Sequence, residues 1–121
     1  MTIRLYGISE DGSIHLIAAA PDAEKLLGFS ATLNAWLKDF ERASIVDSRP
    51  LPADLPIWVV YKHPRDWPDW YVARMFMNEI ATGNLIICRE IDALRVELCA
   101  LGLTPLARNP GDDPVILETW L

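Results

Sequence analysis

The chain has 121 residues, a formal net charge of −6 and an apolar fraction of 51%. This length predicts a single domain that buries about two thirds of the surface of its unfolded chain. The 11 Lys and Arg residues are scattered, which argues against nucleic-acid binding, because affinity for a phosphate backbone depends on clustered cations. The acidic residues come singly or in pairs, so imitation of a nucleic acid by carboxylate rows is only weakly supported.

Composition also bears on the compartment and on bound groups. Cys88 and Cys99 are the only cysteines, and each lies in or beside an apolar run, where a thiol is expected to act as a small core side chain. They supply no disulfide framework and no metal-binding spacing. The N-terminus lacks a leader pattern, and the apolar runs fall short of the ~18 residues of a membrane span. We therefore expect a cytoplasmic protein without membrane contact, metal or cofactor.

The N-terminal part predicts a hairpin followed by a helical region. Residues 2–8 and 14–19 have the composition of strands, and the Asp-Gly pair at 11–12 is typical of the turn between them. Between 22 and 43 the apolar residues recur at three- and four-residue steps. This spacing predicts one helix, or two nearly collinear pieces, with Trp36 in the core.

Prolines then interrupt the chain: residues 48–56 contain three of them, which excludes a helix interior. This segment is either an ordered connection or a boundary within the domain, between a hairpin-plus-helix part and a C-terminal ββαββ module. The remaining elements are predicted as strands at 57–61, 71–77, 85–88, 103–107 and 115–120, and a helix at 90–101. The expected fold is α+β, with an antiparallel-rich sheet covered by helices at about 22–43 and 90–101.

A spaced pattern runs through the C-terminal half. It comprises a YxHPxDxP turn beginning at Tyr61, a VxR strand, a GLxxLxR segment and a DDPxIxExW end. The matching residues are Tyr61, His63, Pro64, Asp66, Pro68, Val72, Arg74, Gly102, Leu103, Leu106, Arg108, Asp112, Asp113, Pro114, Ile116, Glu118 and Trp120. Residues 57–121 thereby resemble a group of small bacterial proteins to which no activity is attached. The resemblance implies a module used in many contexts and leaves residues 1–56 unexplained.

The eight residues from His63 to Trp70, which we call the 63–70 loop, are the strongest candidate site. They combine two prolines, two tryptophans, a histidine and three further charged residues. Tryptophan and arginine anchor many protein interfaces, and prolines lower the entropy lost when a loop docks. We expect exposed rings at Trp67 and Trp70, and a Trp67–Pro68 bond able to adopt the cis form. The predicted binding residues are His63, Arg65, Asp66, Trp67, Trp70, Arg74, Arg108 and Trp120.

These features favour a small acidic binding protein that engages another protein through residues 63–74. Formation of a homo-oligomer through the same face is an alternative, as is an accessory or mobile-element inhibitor of the immunity or anti-defence type. A small enzyme or small-molecule sensor would use His63 as acid or base, together with Asp66, Arg74 and Arg108. No serine or cysteine lies between Ser48 and Cys88, so no nucleophile is near, and a non-enzymatic role is favoured.

The polar residues also have structural interpretations. Asp66 suits a loop that bonds its own amides, and the tryptophans would then seal the end of the sheet. Arg74 and Arg108 fit either an anion site or ion pairs with carboxylates across the sheet. The acidic residues offered for such pairs are Asp112, Asp113 and Glu118.

Overall fold

Strands make up most of the protein in the computed structural model. The structure describes residues 3–22, 25–26, 28–47, 56–77, 80–106, 111 and 114–121. Within these ranges, the strands are β1 (Ile3–Ile8), β2 (Ile14–Ala20), β3 (Arg42–Asp47), β4 (Ile57–Lys62), β5 (Tyr71–Met77), β6 (Ile80–Cys88), β7 (Pro105–Leu106) and β8 (Ile116–Trp120), and the helices are α1 (Ser30–Trp36) and α2 (Ile91–Ala100). No helix in the described part of the chain has the length and apolar character needed to cross a bilayer.

All eight strands belong to one antiparallel sheet, in the order β2-β1-β3-β6-β5-β4-β8-β7. The junction between its two halves is the pairing of β3 with β6, in which Ala43 lies opposite Ile87 and Ile45 opposite Leu85. Strands from before and after the proline-rich segment therefore share one sheet. Residues 48–55 lie outside the described ranges, so a boundary there stays a prediction.

The predicted α+β fold with two covering helices is wrong, because the sheet dominates and the helices are short. α1 has seven residues and α2 has ten. The first helix was expected to run from about 22 to 43, but α1 ends at Trp36 and β3 begins at Arg42. Apolar steps of three and four residues do not separate one long helix from a short helix, a turn and a strand. Leu37, for example, is buried here and would also be buried in one long helix, so its apolar character favours neither structure.

The two helices pack against opposite faces of the sheet. Neighbouring residues of a strand point to opposite faces; Ile87 belongs to the core beneath α1, and Cys88 belongs to the core beneath α2. We call these the first and the second face. Buried residues of the first core are Ile3, Leu5, Leu26, Leu33, Leu37, Ala43, Ile45, Trp67, Trp70, Val72, Leu85 and Ile87. Those of the second are Trp58, Val60, Ala73, Met75, Met77, Cys88, Leu94, Leu98 and Trp120.

The second face is bare over the N-terminal strands. α2 packs on β5 and β6, and the described residues place no helix over β1 and β2 on that side. Ile14, Leu16 and Val46 project there, since they pair with Ile8, Tyr6 and Arg4 of β1. Their exposed fractions are 68%, 60% and 46%. Among the described residues, this half of the sheet is therefore covered on one face only.

Near the middle of the sheet, the backbone of β6 at Gly83 lies close to the side chain of Asp47 in β3. Asp47 is the buried charged residue of the described chain, and its Oδ2 accepts a hydrogen bond from the Gly83 N–H at 3.1 Å. The Asp47 N–H donates to Asn84 Oδ1 at 3.0 Å. A Cβ atom on Gly83 would lie 2.7 Å from Asp47 Oδ2, so this site in β6 requires glycine.

Candidate functional site

The 63–70 loop is a compact connection between β4 and β5. The His63 N–H donates to the Trp70 carbonyl at 3.0 Å, and the Trp67 N–H donates to the Pro64 carbonyl at 3.0 Å. His63 has a φ of 49°, a left-handed conformation that costs a non-glycine residue about 1–2 kcal/mol. Its ring packs edge-on against Tyr71, with 5.1 Å between centroids. The Trp67–Pro68 bond is trans.

The tryptophans of this loop are core residues, and the expectation of exposed rings is wrong. Trp67 and Trp70 are 0% and 1% exposed, and Trp120 is 3% exposed. Both loop rings pack in the first core with Val72. The same core contains Leu85 and Ile87 of β6, so the loop covers β5 and β6 on the first face. The composition of the loop was compatible with an exposed interface and with a buried connection between strands. In the fold the loop is a buried connection.

Arg89 fixes this arrangement from the end of β6. Its guanidinium carbon lies 3.8 Å from the centroid of the Trp70 ring. The same side chain donates to the carbonyls of Leu37, Lys38 and Phe40, each at 3.1 Å. These carbonyls belong to the turn that follows α1. Sequence patterns gave no signal for this residue, because the carbonyls that it binds lie 49 to 52 positions away along the chain.

The polar residues of the predicted site are only partly brought together. A shallow depression of about 110 Å³ is lined by Tyr61, Pro64, Arg65, Asp66, Val72 and Arg74. Arg74 Nη2 lies 3.9 Å from Asp66 Oδ2, so a carboxylate offsets its charge. His63 does not line the depression, and Arg108 lies outside the described residues. The acid–base group of the predicted enzyme or sensor is therefore not assembled in the described part of the chain.

The Glu118 side chain, near the C-terminus, pairs with Arg95 of α2 and not with Arg74. Glu118 Oε1 and Oε2 accept hydrogen bonds from Arg95 at 3.1 and 3.2 Å, and Oε1 also accepts one from Trp120 Nε1 at 3.1 Å. The hydrogen bonds to Glu118 raise the pKa of Arg95 above its ordinary value. The proposed cross-sheet pairs with Asp112 and Asp113 involve residues outside the described ranges.

The two cysteines differ from each other. Cys88 is buried, and burial raises the pKa of its thiol to about 12, so it stays protonated and unreactive near neutral pH. Cys99 is exposed, and its predicted place in the core is wrong. Within the described ranges, no three His, Cys, Asp or Glu side chains are grouped as metal ligands would be.

A more apolar groove lies at the other end of the sheet, between β2 and α1. Its volume is about 250 Å³, and it is lined by Ala18, Ala19, Ala20, Leu26, Phe29, Thr32, Leu33 and Trp36, none of which is charged. Phe29 and Trp36 are 64% and 55% exposed. They are seven positions apart, which is about two helical turns, so both rings lie along one side of α1.

The groove adjoins an open strand edge. β2 is the outermost strand of the sheet, and one side of its backbone therefore has no strand partner among the described residues. We call this edge, together with the rings of Phe29 and Trp36, the β2–α1 surface. The sequence interpretation placed Trp36 in the core and missed the surface. No sequence pattern showed that α1 would end at Trp36, so the exposure of that ring had no local signal.

Comparisons with protein-family models, with curated proteins and with solved structures give no match.

Proposed function

We propose that this chain is a protein-binding module, and that its binding site is the β2–α1 surface. A strand of the partner pairs with the open edge of β2, while an apolar side chain of the partner enters the groove. In this mode of recognition, main-chain hydrogen bonds contribute affinity and side-chain pockets contribute specificity. The observation that carries the proposal is the exposure of two aromatic rings, Phe29 and Trp36, beside the outer edge of β2, which pairs with no other strand of the described residues.

Surface chemistry supports this location. Single exposed apolar residues are ordinary, but rings that line one groove form a contiguous patch, and such patches mark interaction sites. Aromatic side chains are also the common anchors of interfaces. The 63–70 loop has lost this support, because its two tryptophans are buried. We therefore keep the predicted class of function, protein binding, and move the site from residues 63–74 to the β2–α1 surface.

The other predicted functions gain less support. An immunity or anti-defence inhibitor would be one kind of protein-binding module, and no described contact favours that kind over another. A small enzyme or sensor needs His63 beside Asp66 and Arg74, yet the His63 ring packs on Tyr71 and stays out of their depression.

The test is capture of binding proteins from native lysate by the immobilised chain, followed by mass spectrometry. Trp36→Ser is compared with Leu101→Ser, because these residues are 55% and 56% exposed and lie in different parts of the fold. We expect the unmodified chain and Leu101→Ser to retain the same proteins, and Trp36→Ser to retain at least about tenfold less. Thermal unfolding checks that both variants are folded. Equal retention by all three chains, or no retention by the unmodified chain, would contradict the proposal.

A further inference from the structure

The two ends of the sheet differ in how their edges are protected. β7 has two residues and begins with Pro105, which lacks an N–H group for pairing. β2 has seven residues without proline or a charged side chain. Natural edge strands are usually blunted by shortness, proline, lysine or a bulge. Of these, β2 has only a bulge, where a register shift leaves Ile17 as the extra residue opposite β1.

The sequence of β2 suits pairing with itself. Its first four residues, Ile14 to Ile17, are bulky, and its last three, Ala18 to Ala20, are alanines. When two copies of one strand pair in antiparallel orientation, the first half of each lies opposite the second half of the other. Three of the four bulky side chains can then face the three alanines, so these pairs impose no steric clash.

A register exists in which the faces of the sheet also match. Leu16 and Ala19 project from the second face, whereas His15 and Ala20 project from the first face, as their pairing with β1 shows. A two-fold axis perpendicular to the sheet between Ile17 and Ala18 sets Leu16 opposite Ala19 of the second copy, and His15 opposite Ala20 of the second copy. Such an axis is the commonest symmetry of protein dimers.

The same axis brings the grooves together. It keeps α1 of both copies on the first face, one on each side of the joined strands, so that the rings of Phe29 and Trp36 close over the junction. Aromatic residues bury about 150–250 Å² each, and exposures of 64% and 55% leave roughly 250 Å² on the two rings. That is about a third of the ~800 Å² that each partner buries in an ordinary interface. Leu16, Ile14 and the strand edge are available for the remainder.

Charge does not oppose this contact locally. Neither β2 nor the lining of the groove carries a charged side chain, so the joined surfaces bring no like charges into contact. The net charge of −6 on each copy acts from a distance and is screened by salt.

We infer that the partner at the β2–α1 surface is a second copy of this chain, joined through antiparallel pairing of β2 with β2. This inference rests on the proposed function, since it names the occupant of the same surface.

The first experiment is sedimentation equilibrium of the full chain from about 1 µM to about 1 mM, a range that covers weak and moderate dimers. We expect a monomer–dimer equilibrium. Trp36→Glu should raise its Kd at least about tenfold, because the rings of Phe29 and Trp36 close over the junction and a carboxylate there would be buried without a partner. Leu101→Glu is the control, since Leu101 and Trp36 are 56% and 55% exposed; its Kd should be unchanged. A dimer that Trp36→Glu leaves intact would overturn the inference.

The second experiment tests the register by cross-linking. Leu16→Cys and Ala19→Cys are made separately, each with Cys99→Ser to remove the exposed native thiol. Opposed residues of antiparallel strands have Cα atoms about 4.5–5.5 Å apart, within the reach of a disulfide. Mild oxidation should therefore join a mixture of the two variants and leave each variant alone largely unjoined. Absence of the disulfide from the mixture, or equal joining in each single variant, would overturn the inferred pairing.

Failure of the dimer and failure of the proposed protein-binding function give different results. A chain that stays monomeric to about 1 mM overturns the second copy as partner. If that monomer still captures another protein in a Trp36-dependent way, the proposed protein-binding function survives with a different occupant. If it captures nothing, the proposed function fails as well.

Discussion

The two halves of the sheet are built from similar strands but are covered differently. Over β5 and β6, α2 covers the second face and the 63–70 loop covers the first, and Met75 and Met77 are 5% exposed. Over β1 and β2, α1 covers the first face alone, and Leu16 on the second face is 60% exposed. A layer of secondary structure must normally bury its apolar face against another layer. The half that leaves its apolar side chains open is therefore where we expect function.

The comparison also shows that a loop can replace a helix. The 63–70 loop has eight residues, yet its two indoles lie in the first core beside residues supplied by α1. At the other end of the same face, α1 buries Leu33 but leaves Trp36 half exposed. Tryptophan content alone therefore does not distinguish a core from a binding surface, and the following predictions test that distinction.

The largest effect is expected from removing a buried indole. Trp70→Ala should lower the free energy of unfolding by about 3–5 kcal/mol, because the ring is enclosed in the first core. Trp36→Ala should lower it by less than about 1 kcal/mol, because that ring is 55% exposed. Urea unfolding followed by circular dichroism measures both values. Similar losses of unfolding free energy in the two variants would contradict the distinction between a buried Trp70 and an exposed Trp36.

The next effect concerns the contact that holds the loop against α1. Arg89→Met should cost about 2 kcal/mol, because three backbone carbonyls lose a charged donor and Trp70 loses its cation–π partner. Arg65→Met, in an exposed residue of the 63–70 loop, should change stability by less than about 0.5 kcal/mol. Equal urea midpoints for the two variants would show that Arg89 does not hold the loop and helix together.

A loss of similar size is expected at the middle of the sheet. Gly83→Ala should cost about 1–3 kcal/mol, because its Cβ would press on the buried Asp47 carboxylate. Gly102→Ala meets open space but has a φ of +80°, so only backbone strain of about 1 kcal/mol applies. Thermal unfolding of both variants measures the difference. A Gly83→Ala chain as stable as the parent would mean that the strands separate easily at this site.

The last prediction concerns chemical labelling of the two native cysteine thiols, which leaves the sequence unchanged. At pH 8 a disulfide reagent should label Cys99 readily and Cys88 slowly, because burial holds the pKa of Cys88 at about 12 and shields its sulfur. The labelling rate of Cys88 then reports opening of the core beneath α2. One fast thiol per folded chain and two in denaturant is the expected result. Two fast thiols in the folded chain would show that this core opens freely.

Local patterns predicted many elements well. The strands expected at 57–61 and 71–77 are β4 and β5, and the helix expected at 90–101 is α2 at Ile91–Ala100. These segments have compositions that suit only one structure over their length. The helix expected at 22–43 failed because one apolar spacing fits both a helix and a helix–turn–strand, and the choice depends on the pairing of β3 with β1 and β6.

The candidate sites were less predictable than the strands. Whether the rings of Trp67, Trp70 and Trp36 face water depends on which surface lies above them, and the covering residues are distant in sequence. Arg89 and Leu37, for example, are 52 positions apart. A spacing rule reads neighbours within a few residues, so it identified tryptophan-rich segments without finding which of them is exposed.

By itself the amino-acid sequence determined where most strands and the second helix lie, because alternation, helical spacing and turn residues act over a few neighbouring positions. Only the tertiary structure decided that the helices take opposite faces, that the 63–70 loop is core and that β2 is left as an open edge. Those outcomes depend on long-range pairing and on which surfaces exclude water from one another, and both are properties of the whole folded chain.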